Sequence, residues 1–168
     1  GCRVRIIKKD GAKVKPNQTI LQVSGDAKAV LSCERTVLNL LARMSGIATQ
    51  TSLLVSKIRK INRKTKLYST RKTAPGLRFF DKEAVAIGGG HKHRMSLNDM
   101  VMIKDNHLLV SNSIENITKN ARKQHRDVEV EVENQRDAMI AASSGATIVM
   151  LDNFSPAQIK KTISALQK

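Results

Sequence analysis

The first thirty residues of the chain combine short apolar runs with turn-forming residues. Turn signals lie at residues 9–11 (Lys-Asp-Gly) and 15–17 (Lys-Pro-Asn), a strand-like run covers 18–23, and a further turn signal follows at 24–26 (Ser-Gly-Asp). Short apolar runs bounded by such residues are typical of β-strands. The pattern therefore predicts a small β-rich segment.

The apolar spacing changes at about residue 30 and becomes helical up to residue 61. A glycine at position 46 interrupts it, which predicts two helices with a boundary there. The apolar positions that carry the period are Leu31, Val37, Leu38, Leu41, Met44, Ile47, Leu54, Val55, Ile58 and Ile61.

From residue 66 onward, short β-like runs alternate with helical ones. The intervals between the β-like runs are long enough to hold helices, which is typical of parallel βα units. Ser155 and Pro156 supply an N-cap and a first helical position. We expect an α/β fold, either a doubly wound sheet or part of an α/β barrel, since four units cannot close an eight-stranded barrel. The predicted strand–helix pairs are 67–70 with 76–87, 100–103 with 110–123, 128–132 with 135–143, and 147–151 with 156–166.

Composition and charge indicate a globular protein with an anionic partner. Of the 168 residues, 40% are hydrophobic and 26% are charged, as in ordinary globular domains. Lysine and arginine outnumber the acidic residues by 30 to 14, a net charge of +16. Such a balance favours nucleic acid, a phosphate metabolite or an acidic substrate as the partner, and charge alone does not choose among them.

The two cysteines and the absence of long apolar runs indicate the cellular compartment in which the protein is expected. Cys2 and Cys33 are isolated and lack CxxC spacing, so we expect neither a disulfide framework nor a zinc site. No stretch approaches the run of about 20 apolar residues that a membrane helix needs, and no charged-then-apolar leader opens the chain. We expect a cytoplasmic protein without a membrane partner. The chain begins inside a strand-like run without Met, so we expect it to be part of something longer.

Ionisable residues recur where the predicted strands end. The carboxyl ends of parallel strands form the active-site face of α/β proteins, because the loops there converge. For any single residue, the alternative is that the strand simply reaches solvent at its end, where polar residues are common. The recurrence at all four strands favours a site, and its members are Arg71, Lys104, Glu131 with Glu133, and Asp152.

Residues 129–133 (EVEVE) alternate strictly, which places three carboxylates on one face of the strand and two valines on the other. A solvated edge strand would show the same alternation. A central parallel strand is normally apolar on both faces, however. We therefore favour carboxylates that face a solvated pocket or barrel mouth.

The glycine run at 88–90 leads into His91, Lys92, His93 and Arg94. Glycine lets backbone N–H groups approach an anion, and arginine matches carboxylate or phosphate oxygens. We interpret residues 69–107 as one side of a polyanion site, although the run lacks the spacing of known phosphate-binding loops. A metal role for His91 and His93 is possible by residue type, but no further spaced Cys or His completes a ligand set, so ordinary loop histidines are favoured.

Six segments in this order resemble quinolinate phosphoribosyltransferase, and the resemblance runs from about Arg3 to the C-terminus. It implies an N-terminal α/β sandwich followed by an open, incomplete α/β barrel. The segments are ERTVLNLLARMSGIAT (34–49), TRKTAPGLR (70–78), KEAVAIGGGHKHR (82–94), IKDNH (103–107), EVEVEN (129–134) and MLDNFSP (150–156).

The resemblance also implies an activity. Members of that family join quinolinate to 5-phosphoribosyl-1-pyrophosphate with Mg²⁺ and release nicotinate mononucleotide, pyrophosphate and CO₂, in the de novo synthesis of NAD. The expected cofactor is Mg²⁺ carried with the phosphoribosyl donor, without an organic cofactor. The expected partners are the two substrates and a second copy of the chain in a homodimer.

Site residues carry over by position. Arg71, Lys72, His93, Arg94 and Lys104 match the cationic pocket for carboxylates and phosphates, and Arg35 matches an arginine that reaches the neighbouring subunit's site. Glu131 and Asp152 match an acidic pair near the ribose and metal; the choice of Glu131 over Glu129 and Glu133 rests on position alone. With Lys104, this pair gives the expected catalytic residues.

The resemblance divides the chain into two parts and indicates missing ones. Residues 1–47 match a remnant of the N-terminal sandwich domain, and residues 48–168 match a partial barrel that carries the catalytic groups. The N-terminal part is shorter than in the family, and the Gly-rich loops that bind the ribose 5′-phosphate have no counterpart. We expect either a fragment of a longer enzyme or a truncated protein.

Other functions fit less of the sequence. A molybdenum-transport-associated relative shares RKTxPGxR and GGGxxHR, but the IKDNH and EVEVEN segments favour the quinolinate enzyme; a nicotinate-using relative fits less well. Residues 57–72 carry eight cations and no acid, as a nucleic-acid-binding stripe would. The chain has only 2% aromatic residues to stack on bases, so a solvated helix end is favoured there. A non-catalytic remnant that dimerises or binds ligand is a further alternative.

Overall fold

The computed structural model describes residues 1–111 and 113–167, and these form two compact units, Gly1–Met95 and a second that begins at Ser96. Strands β1 (Cys2–Ile6) and β2 (Leu21–Gly25) open the first unit. They pair antiparallel, with Val4 opposite Val23. The predicted β-rich beginning is therefore confirmed.

The prediction of two helices around Gly46 is wrong. A single helix, α1, runs over 35 residues (Ala27–Ile61). It begins at Asp26, whose carboxylate accepts a hydrogen bond from Ala29 N–H at 2.8 Å. A glycine inside a helix costs only about 1 kcal/mol relative to alanine, and the length of the helix outweighs that cost.

A second helix packs against α1 within the first unit. Helix α2 (Arg78–Ile87) ends at the glycine run, which lies against Ala48 and Thr51 of α1. A Cβ atom on Gly88 would lie 2.5 Å from the Ala48 carbonyl oxygen and 2.6 Å from Thr51 Cβ, and one on Gly90 would lie 3.0 Å from Thr51 Cγ2. Glycine at these positions lets the end of α2 contact the backbone of α1.

The strand predicted at 67–70 is wrong in extent. Among the residues that the structure describes, only Tyr68 pairs there, through an isolated parallel bridge to His91. The chain bends directly afterwards, with Thr73 N–H donating to the Arg71 carbonyl at 2.9 Å. The bend ends the pairing before a ladder can form.

The second unit consists of parallel βα units. Strands β3, β4 and β5 lie side by side in chain order, and Val130 is in register with both Ile103 and Val149. This confirms the predicted α/β class. The elements are β3 (Val101–Ile103), α3 (Asp105–Ser111), α4 (Ile114–Gln124), β4 (Val128–Val132), α5 (Gln135–Ser143), β5 (Ile148–Leu151) and α6 (Pro156–Leu166).

Two helix starts show how local sequence sets the boundaries in this unit. The helix predicted at 110–123 is two helices, because Ser113 caps a new one by accepting from Asn116 N–H at 3.2 Å; residue 112 of that prediction lies outside the described residues. Ser155 caps α6 as predicted, in a capping box with Gln158 and with Pro156 at the first helical position.

The core of the second unit lies between the sheet and its helices. Three valines of β4 are almost completely buried and pack with Ile103 of β3 and two alanines of α5. This layer holds the carboxyl ends of the strands in one row. No helix among residues 1–111 and 113–167 is long and apolar enough to cross a membrane.

Two glycine-to-alanine substitutions should move stability in opposite directions. In Gly88→Ala the new methyl group meets the backbone of α1, so we expect a loss of about 1–3 kcal/mol in the free energy of unfolding. In Gly46→Ala nothing lies within 4 Å of the new Cβ, so a gain of about 0.5–1 kcal/mol is expected from helix propensity. Urea unfolding followed by circular dichroism measures both.

The pair serves as its own control, because the chemical change is identical and both sites lie in the first unit. Equal effects of the two substitutions would contradict the close contact between α1 and the end of α2.

Candidate active site

Hydrogen bonds bring two basic bends of the first unit side by side. Ser69 N–H donates to the His91 carbonyl and His91 N–H donates to the Leu67 carbonyl, each at 2.8 Å. The Ser69 hydroxyl donates to the Lys92 carbonyl at 2.7 Å. The first bend, which we define as residues 69–72, carries Arg71 and Lys72. The second, residues 91–94, carries His93 and Arg94.

An aromatic cluster packs on these bends. The ring of Tyr68 lies 5.1 Å from that of His91 and 5.9 Å, edge to face, from that of His93. His93 has a φ of +52°, in the left-handed region that non-glycine residues adopt only when their surroundings impose it. Such backbone conformations are concentrated at ligand sites.

The side chain of Lys82 lies beneath both bends and is completely buried. Its ammonium group donates to the Ser69 hydroxyl at 3.0 Å and to the Lys92 carbonyl. A buried ammonium group is tolerated only where acceptors replace its lost hydration. Here those acceptors come from the two bends themselves.

The neighbouring Asp81 connects three segments of the first unit. Its carboxylate receives two hydrogen bonds from the Arg43 guanidinium of α1, at 2.7 and 2.8 Å. It also accepts from Ala74 N–H at 3.1 Å, just beyond the first bend. The hydrogen bonds from Arg43 lower the pKa of Asp81 below its usual value, although burial opposes them. Conversely, the hydrogen bond to Asp81 raises the pKa of Arg43.

The glycine run does not offer its N–H groups to an anion, so that interpretation is wrong. The N–H groups of Gly88, Gly89 and Gly90 donate to carbonyl oxygens of α2 at 2.9–3.0 Å. The absence of side chains serves the contact with α1 instead. The anion-binding capacity of this region rests on the side chains that follow and precede the run.

Two arginines retain unsatisfied donors. The buried Nε atoms of Arg71 and Arg78 have no hydrogen-bond partner among the residues that the structure describes. Arg78 uses its Nη1 in a 3.4 Å contact with the Met95 carbonyl. Buried donors of this kind are normally paired, so their orientation fits an anion that brings its own acceptors.

In the second unit, two predicted residues meet at the carboxyl edge of the sheet. Lys104 directly follows β3, and its ammonium group lies 2.7 Å from Glu131 Oε2 on β4. The side chain of Glu131 is only 17% exposed, whereas that of Lys104 is 40% exposed. The pair therefore presents a cation at the edge with a partly buried carboxylate behind it.

Asp152 lies at the same edge, directly after β5. Its N–H donates to the Val132 carbonyl at 2.9 Å, which continues the pairing of β5 with β4. The carboxylate accepts from the side-chain amide of Asn153 at 3.1 Å. Asn153 has a φ of +57°, so the backbone turns sharply there. The strand ends place Lys104, Glu131 and Asp152 in successive positions along one edge.

The carboxylates of β4 differ in exposure, which corrects one prediction. Glu129 is 1% exposed, Glu131 is half-buried and Glu133 is exposed. Glu129 does not face solvent; it lies in register with Met102 and Ile148 of the neighbouring strands. Only Glu131 and Glu133, nearer the end of the strand, reach the edge.

Two further expectations concern a second subunit and a metal ion. Arg35 is exposed on α1, and its contact with a second subunit stays a prediction. Among residues 1–111 and 113–167, no cluster of three or more His, Cys, Asp or Glu side chains could hold a metal ion. A metal would therefore need ligands from bound molecules in addition to Glu131 and Asp152.

Sequence reasoning missed Asp81 and Lys82, although a signal was present. Ala84 and Val85 lie on the packed face of α2, and Asp81 and Lys82 each precede one of them by three residues. Residues three apart share a helix face, so the period places both charges among apolar neighbours. A charge at such a position indicates a buried polar contact.

Comparison with known families covers both parts of the chain. The model described as "Quinolinate phosphoribosyl transferase, C-terminal domain" matches residues 47–168, and the model of the N-terminal domain matches residues 1–45. The predicted domain division after residue 47 stays a prediction. Helix α1 runs continuously across that position, and the compact units of the structure divide after Met95.

Curated relatives and solved structures agree with these matches. A probable nicotinate-nucleotide pyrophosphorylase (carboxylating) of Archaeoglobus fulgidus is 45% identical over 96% of the chain, which covers 62% of that protein. The human nicotinate-nucleotide pyrophosphorylase (carboxylating) is 37% identical over 99% of the chain, which covers 57% of it. The structure of the Francisella tularensis enzyme of the same name superposes with a TM-score of 0.90 at 39% identity, over 99% of this chain and 59% of that one. The chain thus spans about three fifths of the length of these relatives.

The Arg43–Asp81 pair should make stability depend on pH at the acidic end. Because the pKa of Asp81 is lower in the folded state, the ionised carboxylate stabilises the fold above its unfolded pKa of about 4. That stability is lost as the pH falls through the folded pKa. We expect Asp81→Asn to be less stable than the wild type at pH 7, with the difference shrinking below about pH 4.

Thermal unfolding of both proteins between pH 2.5 and 7 measures this difference. Asp10→Asn is the matched control at an exposed position of the first unit, and it should leave the acidic limb of the curve unchanged. A constant difference between wild type and Asp81→Asn at every pH would contradict an ionised pair.

Proposed function

Because the chain belongs to the quinolinate phosphoribosyltransferase family, we propose that it transfers the phosphoribosyl group of 5-phosphoribosyl-1-pyrophosphate to quinolinate, with release of pyrophosphate and CO₂. The product is nicotinate mononucleotide. The observation that carries the proposal is the pair of basic bends joined through Ser69 and His91. That the relatives are nicotinate-nucleotide pyrophosphorylases supports this activity over that of a molybdenum-transport-associated protein.

The first bend and the second bend supply what a dianionic substrate needs. Quinolinate carries two carboxylates, and its partner carries further charges on its phosphates. Bringing two anions together costs repulsion that fixed cations offset. Arg71, whose Nε atom is buried without a partner among the described residues, is oriented to donate a hydrogen bond to a carboxylate or phosphate oxygen. Lys72, His93 and Arg94 lie on the same two bends and add to the positive charge.

The carboxyl edge of the second unit suits the departing pyrophosphate and the ribose. As the pyrophosphate leaves, the ribose carbon gains positive charge, and the carboxylates of Glu131 and Asp152 stabilise it electrostatically. Lys104 holds the Glu131 carboxylate through the 2.7 Å contact and presents its own charge to an anion. In this mechanism no covalent nucleophile is needed; trapping of a ribosyl–enzyme adduct would contradict it.

The edge also fits the Mg²⁺ that accompanies the phosphoribosyl donor. Mg²⁺ is commonly held by one or two carboxylates together with substrate phosphates, and Glu131 and Asp152 provide two carboxylates on neighbouring strands. When bound, the ion neutralises charge on the pyrophosphate. The protein groups then have the task of orienting the ribose and the quinolinate.

The setting in which the protein works is also part of the proposal. We place it in the cytoplasm, since both cysteines are exposed and free, as a reducing compartment would keep them. We further propose a homodimer in which the exposed Arg35 reaches the neighbouring subunit's site. An arginine at that position would add a further cation for the substrate carboxylates.

Loss of Arg94 should weaken quinolinate binding. A hydrogen bond to a charged group contributes about 1.5–3 kcal/mol, so Arg94→Ala is expected to raise the dissociation constant for quinolinate about ten- to a hundredfold. Isothermal titration measures binding. Formation of nicotinate mononucleotide from both substrates and Mg²⁺ measures turnover, and we expect it from the wild type and little of it from the variant.

Arg59→Ala is the matched control, since Arg59 is exposed on the last turn of α1 and belongs to neither bend. It should bind as the wild type does. Equal binding by Arg94→Ala and the wild type would contradict the assignment of the second bend. Binding of quinolinate without any product would contradict the transferase activity while leaving the binding site in place.

A further inference from the structure

The buried Lys82 has a role that the proposed transfer does not yet use. It lies on α2, and its side chain is 0% exposed. Burial of a lysine is costly, and lysine is among the residues most often found at the surface. A side chain that needs only to fill space at this position would be apolar. The presence of an ammonium group there calls for an explanation in terms of what it contacts.

Two contacts of Lys82 are to the polypeptide that carries the basic side chains. Its Nζ donates to the hydroxyl of Ser69, two residues before Arg71, and to the carbonyl of Lys92, next to His93. The Ser69 hydroxyl in turn donates to that same carbonyl at 2.7 Å. The three groups form a closed set of hydrogen bonds between α2, the first bend and the second bend.

This set gives the ammonium group a geometric function. Without the ammonium group, the two bends are connected by the bridge at Tyr68 and His91, which two backbone hydrogen bonds form, and by the hydrogen bond from the Ser69 hydroxyl to the Lys92 carbonyl. A lone bridge defines a distance poorly, because it has no neighbouring pairs to resist rotation. The charged donor adds a third connection, through the Ser69 hydroxyl and the Lys92 carbonyl.

We propose that Lys82 is a positioning residue, which holds the Arg71–Lys72 bend and the His93–Arg94 bend at the spacing that one dianionic substrate requires. It does not touch substrate itself, since it is completely buried beneath the bends. The consequence for substrate binding rests on the proposed function. The holding of the two bends does not, and it can be measured separately.

Three variants of the chain separate these roles. Lys82→Met keeps the length and bulk of the side chain and removes the donor. Ser69→Ala removes the hydroxyl and leaves Lys82 in place, so it tests the same set of hydrogen bonds with a smaller change. Lys57→Met makes the same substitution at an exposed position of α1 and serves as the matched control.

Amide hydrogen exchange measured by NMR reports on the bends directly. In Lys82→Met, and to a smaller extent in Ser69→Ala, exchange at the amides of residues 69 and 91 should become about ten- to a hundredfold faster. Amides within α1 should keep their wild-type protection. Unchanged exchange at Ser69 and His91 would overturn the proposal, and so would an equal loss of protection throughout α1, which would indicate a general contribution to stability.

Quinolinate kinetics give the second readout. In Lys82→Met the KM for quinolinate should rise about tenfold or more while kcat changes less, because misplaced cations weaken binding before they affect the transfer step. Lys57→Met should match the wild type in both. A fall in kcat with KM unchanged would overturn the positioning role. If the wild type neither binds nor converts quinolinate, the proposed function fails, and hydrogen exchange still decides what Lys82 holds.

Discussion

The first unit depends on one carboxylate, that of Asp81. It receives two hydrogen bonds from Arg43 on α1 and a third from the N–H of Ala74, so a long helix, a short helix and a loop meet at a single charged group. Hydrogen bonds to an ionised acceptor are stronger than neutral ones, and a bidentate guanidinium also fixes an angle. The direction in which α2 leaves this point determines where Lys82, the glycine run and the second bend lie.

Buried polar groups favour the one packing arrangement in which their hydrogen bonds are made. Helix α2 has two such groups in succession, Asp81 and Lys82. Asp81 faces α1 and the loop, whereas Lys82 faces the two bends. An apolar pair at these positions could bury as much surface without specifying an orientation. Removing one partner of such a contact is more costly than replacing both, because a desolvated group is left behind. The arrangement therefore tolerates few single substitutions.

Much of the fold follows from local sequence, whereas the supports of the candidate site do not. The parallel units, the cap at Ser155 and the meeting of Lys104 with Glu131 all follow from periodicity and from the position of each residue after its strand. The Arg43–Asp81 contact joins residues 38 positions apart, and no local sequence pattern predicts which arginine contacts Asp81. The helix break predicted at Gly46 is wrong because the length of the helix outweighs the cost of one glycine. The exposure predicted for Glu129 is wrong because alternation indicates on which face of a strand a residue lies, and not how deeply it is buried along the strand.

The glycine run deserves a different interpretation from the one that its sequence first invites. Its N–H groups are already used within the chain, and its missing side chains make room for the backbone of α1. A relative that had lost every cation of the site would still need small residues at positions 88 and 90 to keep the two helices in contact. A search pattern centred on the three glycines would thus collect proteins by how closely two helices approach, and it would say nothing about whether they turn over a substrate.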